Sequence, residues 1–205
     1  MKKLQKKFQK NKMDRVPRHW VKFIGGKPPT FEELYHIIRS NLEEYFNLVK
    51  LPNPKRAYIK RLMYYAIAYL QITNGLRASE AIFAMKEFLT KGNKKFKMLA
   101  EKSNKERWVL VAEPLVSMAP MLKTYLDTLK NINRGNYKEF LRYNMGINPH
   151  TLRYVFIKKA VKKIGAEDTM VYMGYKDFKH LLEYYRTIRS EERLEELINE
   201  IINIE

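Results

Sequence analysis

His150 and Arg153 lie three residues apart in the segment NPHTLR, directly before a stretch with helical periodicity. This spacing places both side chains on one face of a helix, at its first turn. The N-terminus of a helix also offers unpaired backbone N–H groups and the positive end of the helix dipole. A histidine and an arginine at this position could bind a phosphate. The alternative interpretation is a helix start at which both side chains serve only as caps.

Three further segments carry residue types that can act on a phosphate. TNGLRASEA places Arg77 in a glycine turn before a predicted helix, and EKSNKERWVLV places Lys102 and Lys105 in the turn of a predicted hairpin. The segment MGYKDFKHLLEYY contributes three tyrosines: Tyr175, Tyr184 and Tyr185. Taken singly, these residues are more typical of a surface arginine, a solvated turn and packed aromatic rings than of a catalytic site.

Together the four segments resemble conserved blocks of the tyrosine recombinase (phage integrase) family. TNGLRASEA resembles its T-G-L-R-x-S-E block, EKSNKERWVLV its G-K-G-N-K-E-R-x-V-P-L hairpin, NPHTLR its S-P-H-x-L-R-H block, and MGYKDFKHLLEYY its L-G-H-x-(x)n-Y block. All four occur in the family's order, and the resemblance covers about residues 28–190. It implies the family's catalytic-domain fold (the DNA breaking-rejoining fold), mainly α with a small β-sheet formed by a hairpin.

The resemblance also implies an activity, that of a site-specific DNA recombinase or integrase working through a 3′-phosphotyrosyl intermediate. A tyrosine hydroxyl attacks a phosphodiester, and the retained bond energy allows rejoining without ATP, a metal or another cofactor. Arg77 and Arg153 match the guanidiniums that stabilise the charged transition state. Lys102, with Lys105 as the alternative, matches the acid that protonates the leaving 5′-oxygen. His150 matches the general acid/base that acts on the tyrosine hydroxyl.

The last of the four segments differs from the family pattern at one position and offers two candidates for the nucleophile. Tyr175 stands where the family has His or Trp; its hydroxyl can donate a hydrogen bond to a phosphate oxygen but cannot shuttle protons near neutral pH. We expect either lowered activity or compensation by His180. The usual nine-residue spacing from that position predicts Tyr184 as the nucleophile. Tyr185 is the alternative, and on a helix it would point about 100° away.

The charge balance favours double-stranded DNA as the partner. The 205 residues include 40 Lys or Arg against 22 Asp or Glu, a net charge of +18. Such an excess is typical of nucleic-acid binding. Besides the catalytic residues, six cations are candidate DNA contacts: Lys94, Lys95, Lys105, Arg107, Lys158 and Lys159.

The same composition argues against several other classes. No apolar run approaches the roughly 20 residues that span a membrane, and the N-terminal segment lacks the apolar core of a signal peptide. Without cysteine, disulfides and thiolate metal sites are excluded. We therefore expect a cytoplasmic protein with no membrane partner, no metal and no cofactor.

Charge also divides the chain into three regions. Residues 1–29 form a Lys-rich arm, 30–189 the predicted catalytic domain, and 190–205 an amphipathic, Glu-rich helical tail. In the family, such a tail often docks onto a neighbouring protomer, so we expect a homo-oligomer on DNA, a dimer or tetramer. The alternative is a helix that packs on its own domain. The family's N-terminal core-binding domain has no counterpart here, which indicates a minimal recombinase or a fragment.

Local patterns predict the elements that position these residues. Thr30 and Glu33 form a capping-box pattern before one helix, and a second helix is predicted over 55–73. A third begins near Ala78, and FKMLA and RWVLVA predict a β-hairpin. Three more helices are predicted: one after Pro114, one over YKEFLRYN and one over residues 150–165. Pro120 is expected to kink the helix after Pro114 or to divide it into two. Two short helices are predicted beyond, over 177–189 and 190–203.

Two other functions fit the same residues. A type IB topoisomerase-like relaxing enzyme would use the same Arg, Lys, Arg and Tyr chemistry, although the short chain and the HTLR block favour a recombinase. A basic DNA-binding protein with a decayed catalytic site would keep the charge but form no covalent adduct with DNA.

Overall fold

The computed structural model describes residues 29–101, 103–175 and 181. Within this part of the chain, seven helices and one two-stranded antiparallel sheet follow one another. Their order is α1 (Phe31–Val49), α2 (Arg56–Asn74), α3 (Ala78–Lys91), β1 (Lys95–Leu99), β2 (Glu106–Leu110), α4 (Leu115–Thr124), α5 (Leu126–Lys130), α6 (Arg134–Met145) and α7 (Pro149–Tyr172). The prediction of a mainly helical chain with one small hairpin is confirmed.

The first helix begins at the predicted capping box. The Glu33 backbone N–H donates to Thr30 Oγ1 at 3.2 Å, and the Thr30 backbone N–H donates to Glu33 Oε2 at 2.7 Å. Two of the helix's otherwise unpaired donors are thereby satisfied. Its buried residues recur at helical spacing and pack against α2: Leu34, Ile38, Leu42, Tyr45 and Val49.

The second helix forms the centre of the molecule. Every residue from Leu62 to Ile72 is buried, and α2 packs against α1, α3, α5 and α7. A helix that is apolar on all sides is stable only when other elements enclose it. Because α2 is enclosed in this way, its C-terminal end is a rigid platform for the turns that begin at Gly75.

The hairpin is joined to this platform by the side chain of Asn74. Its Nδ2 donates to the Leu110 carbonyl at 2.9 Å, and its Oδ1 accepts from the Leu110 N–H at 2.9 Å. The amide thus pairs with the end of β2 as a neighbouring strand residue would. Asn74 therefore holds the base of the hairpin at the end of α2. A separate contact holds the hairpin tip beside the start of α3: the Glu101 backbone N–H donates to Glu80 Oε1 at 3.0 Å.

The structure corrects two helix boundaries. The segment after Pro114 divides into two helices at Tyr125, five residues beyond Pro120, and α4 runs through the proline. Helix α7 extends past Gly165 to Tyr172, with Gly165 itself non-helical at φ 83°. Glycine adopts this backbone conformation without the steric cost of a Cβ, so the chain resumes its helix after one irregular residue.

Several sequence predictions lie outside the described residues. They concern residues 1–28 of the predicted basic arm (1–29), Lys102, His180, the candidate nucleophiles Tyr184 and Tyr185, and the C-terminal tail. The helix predicted over 177–189 also lies outside them, apart from the helical Leu181. Among the helices that the structure does describe, none combines the length and apolar character needed to cross a membrane.

Candidate functional site

A cavity of about 780 Å³ opens where the end of α2, the start of α3, the hairpin tip, α6 and the start of α7 meet. Four of the predicted catalytic residues line it: Arg77, His150, Arg153 and Tyr175. They come from three separate sequence segments, so the fold brings together groups that the sequence separates by up to 98 positions. Since two of the four are arginines, the cavity suits an anionic group.

The Arg77 turn begins at a glycine with a left-handed conformation. Gly75 ends α2 with φ 61°, and Arg77 precedes α3 in an extended conformation. Glu80 fixes that arginine twice: its Oε2 accepts from the Arg77 N–H at 2.8 Å, and its Oε1 from Arg77 Nη1 at 2.8 Å. The guanidinium is therefore oriented before any ligand arrives.

Substituting Gly75 with alanine is expected to destabilise the protein by about 2–4 kcal/mol, since left-handed strain and overpacking act together. A Cβ there would lie 2.2 Å from Cδ1 of the Phe156 ring, so the ring or the turn must move. The matched control is Gly92→Ala, where φ is 77° and nothing lies within 4 Å of the added Cβ. It should cost only the strain, about 1–2 kcal/mol. Equal losses in urea unfolding would contradict this account.

Glu80 is the buried carboxylate around which the cations are organised. Besides its bonds to Arg77, its Oε1 accepts from the Glu101 backbone N–H at 3.0 Å. Arg107 Nη1 lies 3.5 Å from its Oε2, and Arg153 Nη1 lies 3.7 Å from the same atom. The side chain is only 2% exposed. One carboxylate thus pairs with three guanidiniums, which leaves the cluster with a net positive charge, and it ties the hairpin tip to the start of α3.

Burial is the largest single influence on the Glu80 carboxyl and by itself would raise the pKa. The backbone hydrogen bonds from Arg77 and Glu101, the charge of Arg107 and the Arg77 side chain act in the opposite direction. Together they outweigh burial, and the Glu80 pKa lies below its ordinary value of 4.5. The group is therefore ionised at neutral pH.

Arg153 is oriented by one partner from each neighbouring segment. Its Nη1 donates to the Gly75 carbonyl at 2.7 Å, and its Nη2 to the Tyr175 hydroxyl at 3.1 Å. The residue is 2% exposed and still lines the cavity. Lys105 Nζ donates to the Tyr175 carbonyl at 3.4 Å. Tyr175, which stands at the family's His or Trp position, therefore joins Arg153 to the hairpin.

Gln71 is a site residue that the sequence reasoning missed. Its Nε2 donates to the Leu76 carbonyl at 3.0 Å and to the Pro149 carbonyl at 2.8 Å, and its Oε1 accepts from the Tyr137 hydroxyl at 2.6 Å. This fully buried amide joins the turn before Arg77 to the start of α7 and to α6. The available signal was a glutamine within an apolar helical run, IAYLQI, where a buried polar group needs partners.

His150 lies in the first turn of α7, as its spacing from Arg153 predicted. Asn148 caps this helix, and its Oδ1 accepts from the Thr151 N–H at 3.1 Å. His150 is exposed and lines the cavity, whereas Arg153 on the same turn is buried. The imidazole is thus accessible to a ligand in the cavity, and the buried guanidinium of Arg153 lines the same cavity.

The predicted DNA contacts occupy different environments. Lys94, Lys95 and Lys105 are exposed, and Lys158 is partly buried. Lys159 pairs with Glu32 on α1 and lies 4.4 Å from the centre of the Phe31 ring. None of these five lysines is among the residues that line the cavity.

Arg107 requires a correction. Its side chain is 0% exposed, donates from Nη2 to the Asn74 carbonyl and lies 5.2 Å from the centre of the Tyr172 ring. Burial lowers the pKa of this guanidinium, and the Tyr172 and Glu80 charges partly offset that effect. A side chain enclosed in this way does not reach a DNA backbone. Arg107 instead contacts the Asn74 carbonyl and the Glu80 carboxylate inside the fold.

Comparison with known proteins gives one distant relative that bears on function. Over 199 residues, 96% of this chain and 75% of the relative, the sequence is 24% identical to the protein named "Putative integrase ORF241" of Acidianus two-tailed virus. No family model matches the chain. No solved structure matches it either. The comparisons thus relate this chain distantly to a protein described as a viral integrase.

Proposed function

We propose that this protein is a site-specific DNA recombinase of the tyrosine type, with the fold of that family's catalytic domain. The observation that carries the proposal is the cavity in which Arg77, His150, Arg153 and Tyr175 converge. All four resembling sequence blocks contribute lining residues, the hairpin block through Glu101 and Ser103. The distant viral relative, by its name, favours integration over simple DNA relaxation.

In the proposed reaction, the scissile phosphate of double-stranded DNA enters the cavity between Arg77 and Arg153. The Tyr184 hydroxyl, or that of Tyr185, attacks phosphorus; a P–O bond to the tyrosine forms and the P–O5′ bond breaks. His150 takes the proton from the attacking hydroxyl. Lys102, or else Lys105, gives a proton to the leaving 5′-oxygen. Rejoining is the reverse of these steps, so the energy of the phosphodiester bond is retained.

The two guanidiniums stabilise the transition state. Negative charge grows on the non-bridging phosphate oxygens, and oriented donors in a partly closed site lower its energy without reorganisation. Glu80 holds Arg77, while the Gly75 carbonyl and Tyr175 hydroxyl hold Arg153. In this scheme Tyr175 is a positioning residue, because its hydroxyl acts on the phosphate through Arg153.

The proposal extends to the setting of the reaction. We infer that the protein acts for a mobile element, in the cytoplasm, as a homo-oligomer assembled on DNA. Deleting residues 190–205 should then abolish multimers on DNA while the monomer still folds. Unchanged assembly on analytical ultracentrifugation would remove the docking role of the tail.

The proposal is tested with supercoiled plasmid at low salt, without metal or ATP. The wild type is expected to relax the plasmid and to form an SDS-stable protein–DNA adduct, and Tyr184→Phe to form none. Loss only in Tyr185→Phe would keep the mechanism and change the nucleophile.

The control is Tyr58→Phe, which removes a hydroxyl from a partly buried tyrosine in the first turn of α2 that does not line the cavity. It should form the adduct as the wild type does. If the wild type binds DNA and forms no adduct on plasmid or on the element's own ends, the protein is a non-catalytic DNA-binding protein. Relaxation without strand exchange between two DNA segments would indicate a topoisomerase-like enzyme.

A further inference from the structure

Three cations follow one another along one face of α6. Arg134, Lys138 and Arg142 are spaced four residues apart, and all three are exposed. We refer to these three residues as the α6 stripe. None of them belongs to the four sequence blocks that resemble recombinases.

The stripe begins inside the cavity and leads away from it. Arg134 and Lys138 line the cavity together with Arg77 and Arg153. Arg142, one turn further on, lies outside the lining and donates from Nη2 to the Tyr143 hydroxyl at 2.7 Å. An anionic chain whose one phosphate lies between Arg77 and Arg153 would therefore meet the stripe as it leaves the cavity.

The opposite side of α6 fixes the direction of the stripe. Tyr137 and Leu141 are fully buried, and the Phe140 ring stacks on Tyr64 with centroids 4.4 Å apart. The helix therefore cannot rotate without exposing this apolar side. Four residues of helix advance about 6 Å along the axis, which is comparable with the spacing of neighbouring phosphates on one strand.

We infer that the α6 stripe binds consecutive backbone phosphates of the DNA strand next to the phosphate held by Arg77 and Arg153. This inference rests on the proposed function. Contacts to phosphates carry no direct sequence information, but they set the register of the protein on the duplex. The ligand class is thus a phosphodiester backbone, bound without reading bases.

The carboxylates near the stripe leave it basic. Glu101 also lines the cavity, but its Oε2 accepts a hydrogen bond from Ser79 Oγ at 2.6 Å. Glu139 follows Lys138 and points about 100° away from it around the helix, but it lies three residues before Arg142, close enough to pair with that cation. Glu139 is the one carboxylate of α6, so the three stripe cations keep a net positive charge.

The test measures duplex affinity against salt concentration by fluorescence anisotropy. For B-DNA, each phosphate contact that is removed lowers the slope of log affinity against log salt by about 0.9. The triple variant Arg134→Gln, Lys138→Gln, Arg142→Gln is expected to lower the slope by about 2.7. Because these side chains are exposed, its thermal unfolding should stay close to that of the wild type.

The control removes the same charge at the far end of α2. Lys55→Gln, Arg56→Gln and Lys60→Gln change three exposed cations at the N-terminal end, about 16 to 24 Å along the helix axis from Gln71. Their loss should leave the slope nearly unchanged. If the salt slope fell equally in both triple variants, the cause would be net charge, and the inference about the stripe would be wrong. A wild-type slope in the stripe variant would also contradict it.

The adduct assay separates this inference from the proposed function. Suppose that the wild type forms the covalent adduct and the stripe variant keeps the full salt slope. The inference about the stripe is then wrong, and the recombinase proposal still holds. If the stripe variant lowers the salt slope but the wild type forms no adduct, the DNA-binding role of the stripe holds and the catalytic proposal is wrong. A wild type that binds no duplex at low salt overturns both.

Discussion

Replacing Arg77 with lysine is expected to slow formation of the covalent protein–DNA adduct by about 100-fold, the usual effect of losing one oriented transition-state donor. Lysine keeps the positive charge but lacks the planar, forked donors that match two phosphate oxygens. It also loses the geometry in which Glu80 Oε1 holds Nη1 at 2.8 Å. The measurement is the single-turnover rate of adduct formation at saturating DNA.

A matched control separates this catalytic effect from a loss of charge pairing. Arg39 donates to Glu43 at 2.9 Å on the exposed side of α1, so Arg39→Lys makes the same substitution in another Arg–Glu pair. It should form the adduct at the wild-type rate. A wild-type rate for Arg77→Lys, in a protein that unfolds normally in urea, would remove Arg77 from the proposed transition-state site.

The second large effect is on stability. Glu80→Gln keeps the shape of the side chain but removes the negative charge that Arg77, Arg107 and Arg153 share as an ion-pair partner. Leaving buried charges without their partner costs about 3–5 kcal/mol. We expect a loss of this size in the free energy of unfolding in urea at neutral pH. The exposed Glu43→Gln should change it little, and equal losses would contradict the central role of Glu80.

The same pair of proteins gives a pH dependence with a defined sign. Because the Glu80 pKa is lowered on folding, its ionised form adds stability that is fully present above the unfolded value of about 4.5. That contribution is lost as pH falls through the lower pKa of the folded state. The stability difference between wild type and Glu80→Gln should therefore shrink as the solution is acidified below pH 4.5. A difference that grows on acidification would contradict this assignment.

Local sequence signals were sufficient for most of the elements. The Thr30 capping box, the glycine end of α2 and the two apolar strands of the hairpin each depend on short-range chemistry, and all are present as predicted. The spacing of His150 and Arg153 placed both in one helical turn. What the sequence could not show is that Arg153 would be buried while His150 is exposed, since that depends on α2 and the end of α7.

The misplaced Arg107 has a physical explanation. Side chains alternate between the two faces of a strand, so Arg107 and Val109 share the inner face of β2. Trp108 and Leu110 on the outer face are also apolar, and the alternation therefore did not distinguish the buried face. Only the Asn74 carbonyl and the Glu80 carboxylate beneath the hairpin explain why a cation is accommodated there.

The stripe and Gln71 were missed because their roles are set by distant partners. Arg134 and Lys138 lie on a helix between two recognisable blocks, in a stretch with no motif of its own. Gln71 acts through carbonyls of Leu76 and Pro149, the second of them 78 positions away. Such contacts arise from tertiary packing, which a linear pattern does not contain.

The central claim is that a tyrosine of this chain becomes joined to the 3′ side of a DNA break. The direct measurement is mass spectrometry of the nuclease-trimmed peptide released from the covalent adduct, with end-labelling of the cleaved strand. We predict a nucleotide phosphate on Tyr184, or on Tyr185 if the register is shifted by one, and a free 5′-hydroxyl on the other end. Attachment through a 5′-phosphate, or to a residue other than these two tyrosines, would contradict the account.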